Sequence, residues 1–157
     1  SSDLFATPSG KIELRSSAAM GWGADPLPAF VRPHEVSCGD YPLTLISGQP
    51  RHRIHSQFDE MNEYSDDRLP PALRVNPDAA RGRGIDDGML VLLMSRRGSA
   101  RFRCVYDPHI RHDTVACENG RPRWRGGELN NLTGDYISDI GMQSALYDCQ
   151  VELEPIR

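Results

Sequence analysis

Lysine is nearly missing from this 157-residue chain: Lys11 stands alone against seventeen arginines. No apolar run approaches the roughly 18–20 residues that a membrane helix needs, which excludes a helical membrane span. The pattern of a secretory leader, a positively charged start followed by an apolar core, is not visible. The four cysteines form no CxxC or CxxH pair, so neither a zinc ribbon nor an iron–sulfur cluster can be built locally. They read as reduced thiols packed like small hydrophobes. Nucleophile elbow, P-loop, dinucleotide fingerprint and HExxH are all absent. A basic balance is lacking too: 22 acidic against 18 basic residues give a net charge of −4, which argues against general nucleic-acid binding. Aromatics reach only 7% and apolar residues 38%, a thin supply for a core, yet the length suffices for one domain.

What is plentiful is punctuation. Fourteen glycines and twelve prolines exceed an average share, pointing to many turns between short strands and away from a helical bundle. The arginines offer planar forks that grip phosphate or carboxylate at two points, which lysine cannot do; the same skew also follows from a GC-rich genome. The chain starts at Ser1 with no initiator methionine, and structure-like sequence begins within a few residues, the look of a processed or excised piece.

Along the chain, Lys11–Arg15 alternates strictly and predicts a strand. Residues 16–40, with Pro26, Pro28 and Pro33, predict an irregular surface segment. Strands are expected at 43–47, at 73–75, at 89–94 (a continuous apolar run expected to be buried on both faces), at 101–105, at 114–117 and at 149–153. The return strand should place Phe102 and Cys104 on one face and Arg101, Arg103 and Val105 on the other. Arg96–Ser99 reads as the hairpin turn before it. Asn76-Pro77-Asp78 predicts a short helix: Asn76 caps, proline suits the first position, and Asp78 complements the positive end of the dipole. Gly82 or Gly84 should end it. Residues 59–67 read as a solvated acidic stretch, and 118–134 as too polar for the core. The sum is a mainly β protein, a small barrel or sandwich, with no second domain called for.

Two polar stretches can carry chemistry. Gly48–Phe58 packs Gln49, Arg51, His52, Arg53, His55, Ser56 and Gln57 behind a buried strand, a donor set suited to a ligand with phosphates and ring nitrogens. An ordinary solvated connection has the same composition. His52 and His55, three apart, lack nearby acid or thiol partners for a metal. In Gly126–Asp135, glycines permit close backbone approach, and Asn130-Asn131 can donate and accept together against a pterin or purine edge. Arg121, Arg123 and Arg125 around Trp124 suit a phosphate grip, a stacking platform or a solvated basic face.

In order, Phe5–Leu14, Pro42–Ser47 with Arg53-Ile54-His55-Ser56-Gln57, the block Val75-Asn76-Pro77-Asp78-Ala79-Ala80 through Gly84-Ile85-Asp86-Asp87-Gly88, Asn130-Asn131-Leu132-Thr133-Gly134-Asp135 and Tyr147–Glu152 together resemble the C-terminal molybdopterin guanine dinucleotide-binding domain of the dimethyl sulfoxide reductase family of molybdenum and tungsten oxidoreductases. The resemblance covers nearly the whole chain. It implies a double-psi β-barrel with one or two short helices, residues 41–157, preceded by a lead-in segment, 1–40, that wraps it. It implies a bis(molybdopterin guanine dinucleotide) cofactor carrying Mo or W and bound jointly with other domains. The cofactor-binding residues it implies are Ser47, Gln49, Arg53, His55, Ser56, Gln57, Asn130, Asn131, Gln143 and Tyr147. It implies neither a catalytic residue nor a metal ligand in this chain. The implied partners are the remaining domains or the catalytic subunit of the parent oxidoreductase, with no nucleic acid and no membrane span. The parent would be cytoplasmic, or periplasmic after export in the folded state. This sequence departs from the family at Asn119–Trp124, where an aromatic-rich glycine-tryptophan stretch is common. Two alternatives remain at this point: a barrel of the same class that binds proteins without a cofactor, and a pyruvoyl-dependent decarboxylase, for which Gly98-Ser99 would be the self-cleavage site.

Overall fold

A computed structural model describes residues 5–61, 70–138 and 140–156. Their elements are α1 (Ser17–Gly21), β1 (Leu43–Gly48), β2 (Ala72–Val75), α2 (Pro77–Arg81), β3 (Leu90–Met94), β4 (Ser99–Tyr106), β5 (Thr114–Glu118) and β6 (Gln150–Pro155). Two short 3-10 turns, Arg123–Arg125 and Leu129–Asn131, lie between β5 and β6. The strands close a barrel in the order β1-β5-β2-β4-β3-β6. β1 with β5 and β2 with β4 run parallel, and the other neighbours run antiparallel. Each parallel pair joins strands distant in sequence, the interlocked arrangement of a double-psi barrel.

Alternate residues fill the interior: Leu43 and Leu45, Leu73 and Val75, Val91 and Leu93, Phe102 and Cys104, Val115 and Cys117, Val151 and Leu153. Each large aliphatic side chain so enclosed contributes about 1.5–3 kcal/mol relative to exposure. Ala80 from α2, Ile85, Leu132 and Cys149 close the ends. The helix start is as the residues predict. Asn76 Oδ1 accepts from the N–H groups of Asp78 and Ala79, Pro77 opens α2, Gly82 caps it, and Gly84 turns away at φ +69°. Phe102 and Cys104 point inward, as the alternation of β4 requires.

Some expectations need correction. Lys11–Arg15 forms no strand; Ile12 and Leu14 are 68% and 80% exposed, and alternation without a neighbouring strand to complete the ladder does not make one. The segment 16–40 is not wholly irregular. It contains α1, whose Ser16 side chain accepts the Ala19 N–H. β3 is buried on one face only, with Leu90 and Leu92 turned away from the interior, because a closed barrel needs no second layer outside. Leu132 is fully buried although 118–134 is polar overall. In the acidic stretch Asp59 is buried rather than solvated, and residues 62–67 of it lie outside the described residues.

The described chain divides into two compact units. One comprises residues 1–32 with 137–143, the other 33–136 with 144–157. The second contains the barrel.

Candidate functional site

The parallel pairing of β1 and β5 decides where the polar loops emerge. Gly48 stands opposite Glu118, so both strands end at one rim, and the Asn119 N–H extends their ladder to the Gly48 carbonyl at 2.9 Å. The loop after β1 and the segment after β5 therefore leave side by side, although they lie far apart in sequence.

Arg53 ties them together. It is buried, and its guanidinium donates to the His55 carbonyl at 3.0 Å and the Asn119 carbonyl at 3.3 Å. It also pairs with Glu118 at 3.3 Å and Asp59 at 3.5 Å. Asp59 is shared with Arg125, 3.6 Å away, whose guanidinium also donates to the Asp59 carbonyl at 2.7 Å. Two guanidinium groups around one buried carboxylate offset each other's desolvation, which a lone buried charge could not withstand. The left-handed turn at His55 (φ 52°) is clamped by this knot. Gly120 then approaches so closely that a Cβ there would stand 2.6 Å from the His55 backbone. Gly127 is as constrained: a Cβ would meet the Arg121 carbonyl at 1.7 Å.

The second wall is plugged rather than knotted. Leu132 enters the core, and its carbonyl accepts from Arg97 Nε at 3.0 Å and Cys149 Sγ at 3.3 Å. Arg97 pairs with buried Glu35, which also accepts from the Gln150 N–H at 2.9 Å and the Tyr136 hydroxyl at 3.3 Å. Burial alone would raise the Glu35 carboxyl. These donors and the Arg97 charge outweigh it and hold the group below its ordinary value, while Glu35 raises Arg97.

Between the walls lies a cleft of about 320 Å³. His55 and Ser56 line it from the first wall, Asn119, Gly120 and Arg121 from the β5 exit, and Gly126, Gly127 and Asn130 from the second. The other residues named from the sequence fall elsewhere. Ser47 is buried at the end of β1, and its carbonyl accepts from Asn119 Nδ2 and the Tyr147 hydroxyl, each at 3.4 Å. Gln49 and Gln57 are exposed on the loop and do not line the cleft. Asn131 reaches the Ser99 carbonyl at 3.5 Å. Gln143 belongs to the other compact unit, bonded to Ser138. Arg53 reaches the cleft only through what it holds. Gly98 ends the turn between β3 and β4 and Ser99 opens β4; the Ser95 N–H donates to the Gly98 carbonyl at 2.9 Å and closes the turn. Sequence reasoning missed Asn119 and Gly120 as lining residues; an Asn-Gly pair directly after a strand was the available signal.

Near the rim, burial pushes the Cys117 thiol up to about 12, and Cys104 is pushed to about 11 by burial and then by Asp87, so neither is a thiolate at neutral pH. Among the described residues no three His, Cys, Asp or Glu side chains converge as a metal site, and no helix is long and apolar enough to cross a membrane.

A family model described as the molydopterin dinucleotide binding domain matches residues 43–150. A probable oxidoreductase, YyaE, of Bacillus subtilis is 33% identical across 96% of this chain and 23% of its own length. A putative catalytic chain of dimethyl sulfoxide reductase from Halobacterium salinarum is 30% identical across 96% of this chain and 20% of its own length. Among solved structures, acetylene hydratase from Pelobacter acetylenicus superposes on 98% of this chain and 24% of its own with a TM-score of 0.82, at 22% identity, which speaks for the fold. The chain thus spans about a fifth to a quarter of the proteins it resembles. With its closed double-psi barrel, and with a family match over most of its length, it belongs to the molydopterin dinucleotide-binding domain family.

Proposed function

We propose that the rim cleft is the cofactor contact of this chain, gripping the pterin and phosphate groups of a bis(molybdopterin guanine dinucleotide), and that the chain acts as one domain of a molybdenum or tungsten oxidoreductase. The supporting observation is that His55, from the loop after β1, and Asn130, from the segment after β5, line one cleft. The residues suit the group. His55, Ser56, Asn130 and Arg121 are hydrogen-bonding side chains for an anionic, nitrogen-rich ligand. Asn119 Oδ1 is a buried acceptor that no donor among the described residues meets at the same wall, and a pterin ring offers N–H groups.

In this reading the bound cofactor supplies electron and group transfer, and the protein supplies binding, orientation and electrostatics. Asn130 and Ser56 orient the ring edge. Arg121 balances negative charge, and His55 offers a ring nitrogen for hydrogen bonding. Arg53 and Asp59 act behind them by fixing the wall, and a wall held this rigidly loses little entropy when it binds. Substituting Asn130→Ala together with Ser56→Ala in the full-length protein that carries this chain lowers its pterin and metal content while far-ultraviolet dichroism stays unchanged. Full pterin and metal content in that variant overturns the reading.

A further inference from the structure

The outer face of the barrel at β3 breaks a pattern that its two neighbours keep. An antiparallel sheet with one face on the core and the other in water alternates apolar inward and polar outward. β4 and β6 obey. Phe102, Cys104, Val151 and Leu153 point inward, so Arg101, Arg103, Glu152 and Glu154, which alternate with them, point outward. β3 does not. Val91 and Leu93 are inward, yet its outward positions are Leu90, Leu92 and Met94, and Leu90 is 46% exposed.

Registry sets this apolar stripe between charges of opposite sign. Leu92 stands opposite Arg101 of β4 on one side and opposite Glu154 of β6 on the other. In the row before it Leu90 stands opposite Arg103, and in the row after it Met94 lies between Ser99 and Glu152. Positive charge therefore runs along the β4 side of the stripe and negative charge along the β6 side. Neighbouring strands lie about 4.8 Å apart, so Arg101 and Glu154 are about 10 Å from each other with Leu92 between them. Both are exposed, and among the described residues neither side chain is paired. Glu152, by contrast, is held by Arg83.

Such a face is complementary to itself. A two-fold axis running along β3 lays Leu92 on Leu92 of the partner subunit. It sets Arg101 against Glu154 of the partner subunit at one end of the row, and Glu154 against Arg101 of the partner subunit at the other. A two-fold axis running across the strands sets arginine on arginine and glutamate on glutamate, which repulsion between like charges disfavours. The charges thus fix the orientation of the pair. Convex walls touch along a stripe, and three strands by three rows span roughly 14 Å by 20 Å. That is the low end of specific interfaces, so the association is weak and reversible.

We propose that the outer face of β3, β4 and β6 is a homodimer contact, with β3 of two copies side by side and Arg101–Glu154 pairs at both ends of the central row. None of these residues lines the rim cleft, and the proposal does not rest on the cofactor reading. The test is sedimentation equilibrium of the full-length protein that carries this chain, from about 1 to 300 μM, the range that suits so small an interface. The parent is expected to dimerise. Arg101→Glu alone and Glu154→Arg alone each leave like charges at both ends of the row. Each should weaken self-association at least about tenfold, with far-ultraviolet dichroism unchanged. Mixed in equal amounts, the two variants regain opposite charges at both ends and should form a heterodimer about as tight as the parent dimer. That recovery also requires both variants to be folded. Leu92→Ser, outward and outside the core, should weaken the dimer as well. A parent that stays monomeric throughout the range overturns the proposal. So do single variants that dimerise as the parent does, or variants that fail to associate when mixed.

Discussion

The two walls of the rim cleft are held by different physics. The wall bearing His55 and Ser56 hangs on a buried ionic knot of Arg53, Asp59 and Arg125, whose guanidinium groups also reach backbone carbonyls and, from Arg53, the Glu118 carboxylate. The wall bearing Asn130 hangs on an apolar plug, Leu132, with the Arg97–Glu35 pair bracing its carbonyl. A loop whose Ile54 and Phe58 stay about half exposed is fixed chiefly by satisfying its carbonyls and charges. A segment that carries one well-placed leucine can be fixed by the core itself. In both cases the residues that face the cleft differ from the residues that hold it.

That contrast can be broken in graded steps. Arg53→Ala leaves Asp59 with one partner and strips two carbonyls of their donor, so unfolding free energy should fall by about 4 kcal/mol, measured by urea titration. Leu132→Ala should cost about 3 kcal/mol through lost burial and a cavity, with Asn130 losing amide protection first. Glu35→Gln should cost about 2 kcal/mol at neutral pH, because Arg97 loses its buried counter-charge. The Glu35 carboxyl sits below its ordinary 4.5 in the folded state, so its contribution is complete above that pH and fades as pH falls through the lower folded value. The difference between parent and Glu35→Gln melts should accordingly shrink below pH 4.5. Asn76→Ala, remote from both walls, removes a helix cap and should cost about 1 kcal/mol. Asn130→Ala should shift stability by less than about 0.5 kcal/mol, since the side chain is exposed. An Asn130→Ala loss as large as that of Arg53→Ala would erase the distinction between holding and facing.

The fold was largely legible. β1, β2, β4, β5 and β6 each appear where alternation or a short apolar run places them, and α2 begins at the Asn76-Pro77 signal. Local rules suffice there because the pattern of a strand is written in its own residues. Lys11–Arg15 shows the limit, since alternation says nothing of whether a partner strand exists. Leu90 shows another: an apolar run looks the same whether one face is covered or two. The site was half legible. His55, Ser56 and Asn130 were named from composition and resemblance, and all three line the cleft. Arg53 and Asn131 were named beside them, yet neither lines the cleft: the buried Arg53 guanidinium donates to the His55 and Asn119 carbonyls, and the exposed Asn131 amide reaches the Ser99 carbonyl. A residue's type announces what it can bond; its partners are assigned only on folding. Asp59 shows this most clearly, since it sits in an acidic run typical of surface and is buried between two arginines.

The amino-acid order by itself determined the short elements, the helix cap, the alternating core and the inventory of donors in two distant loops. Only the closed barrel decided that these loops share a rim, because parallel pairing of β1 with β5 aligns their ends and no local signal specifies that neighbour. It also decided which arginines became struts and which faced open space. Burial of a charge is settled by the groups that surround it, and for Arg53 and Asp59 several of those come from segments far along the chain.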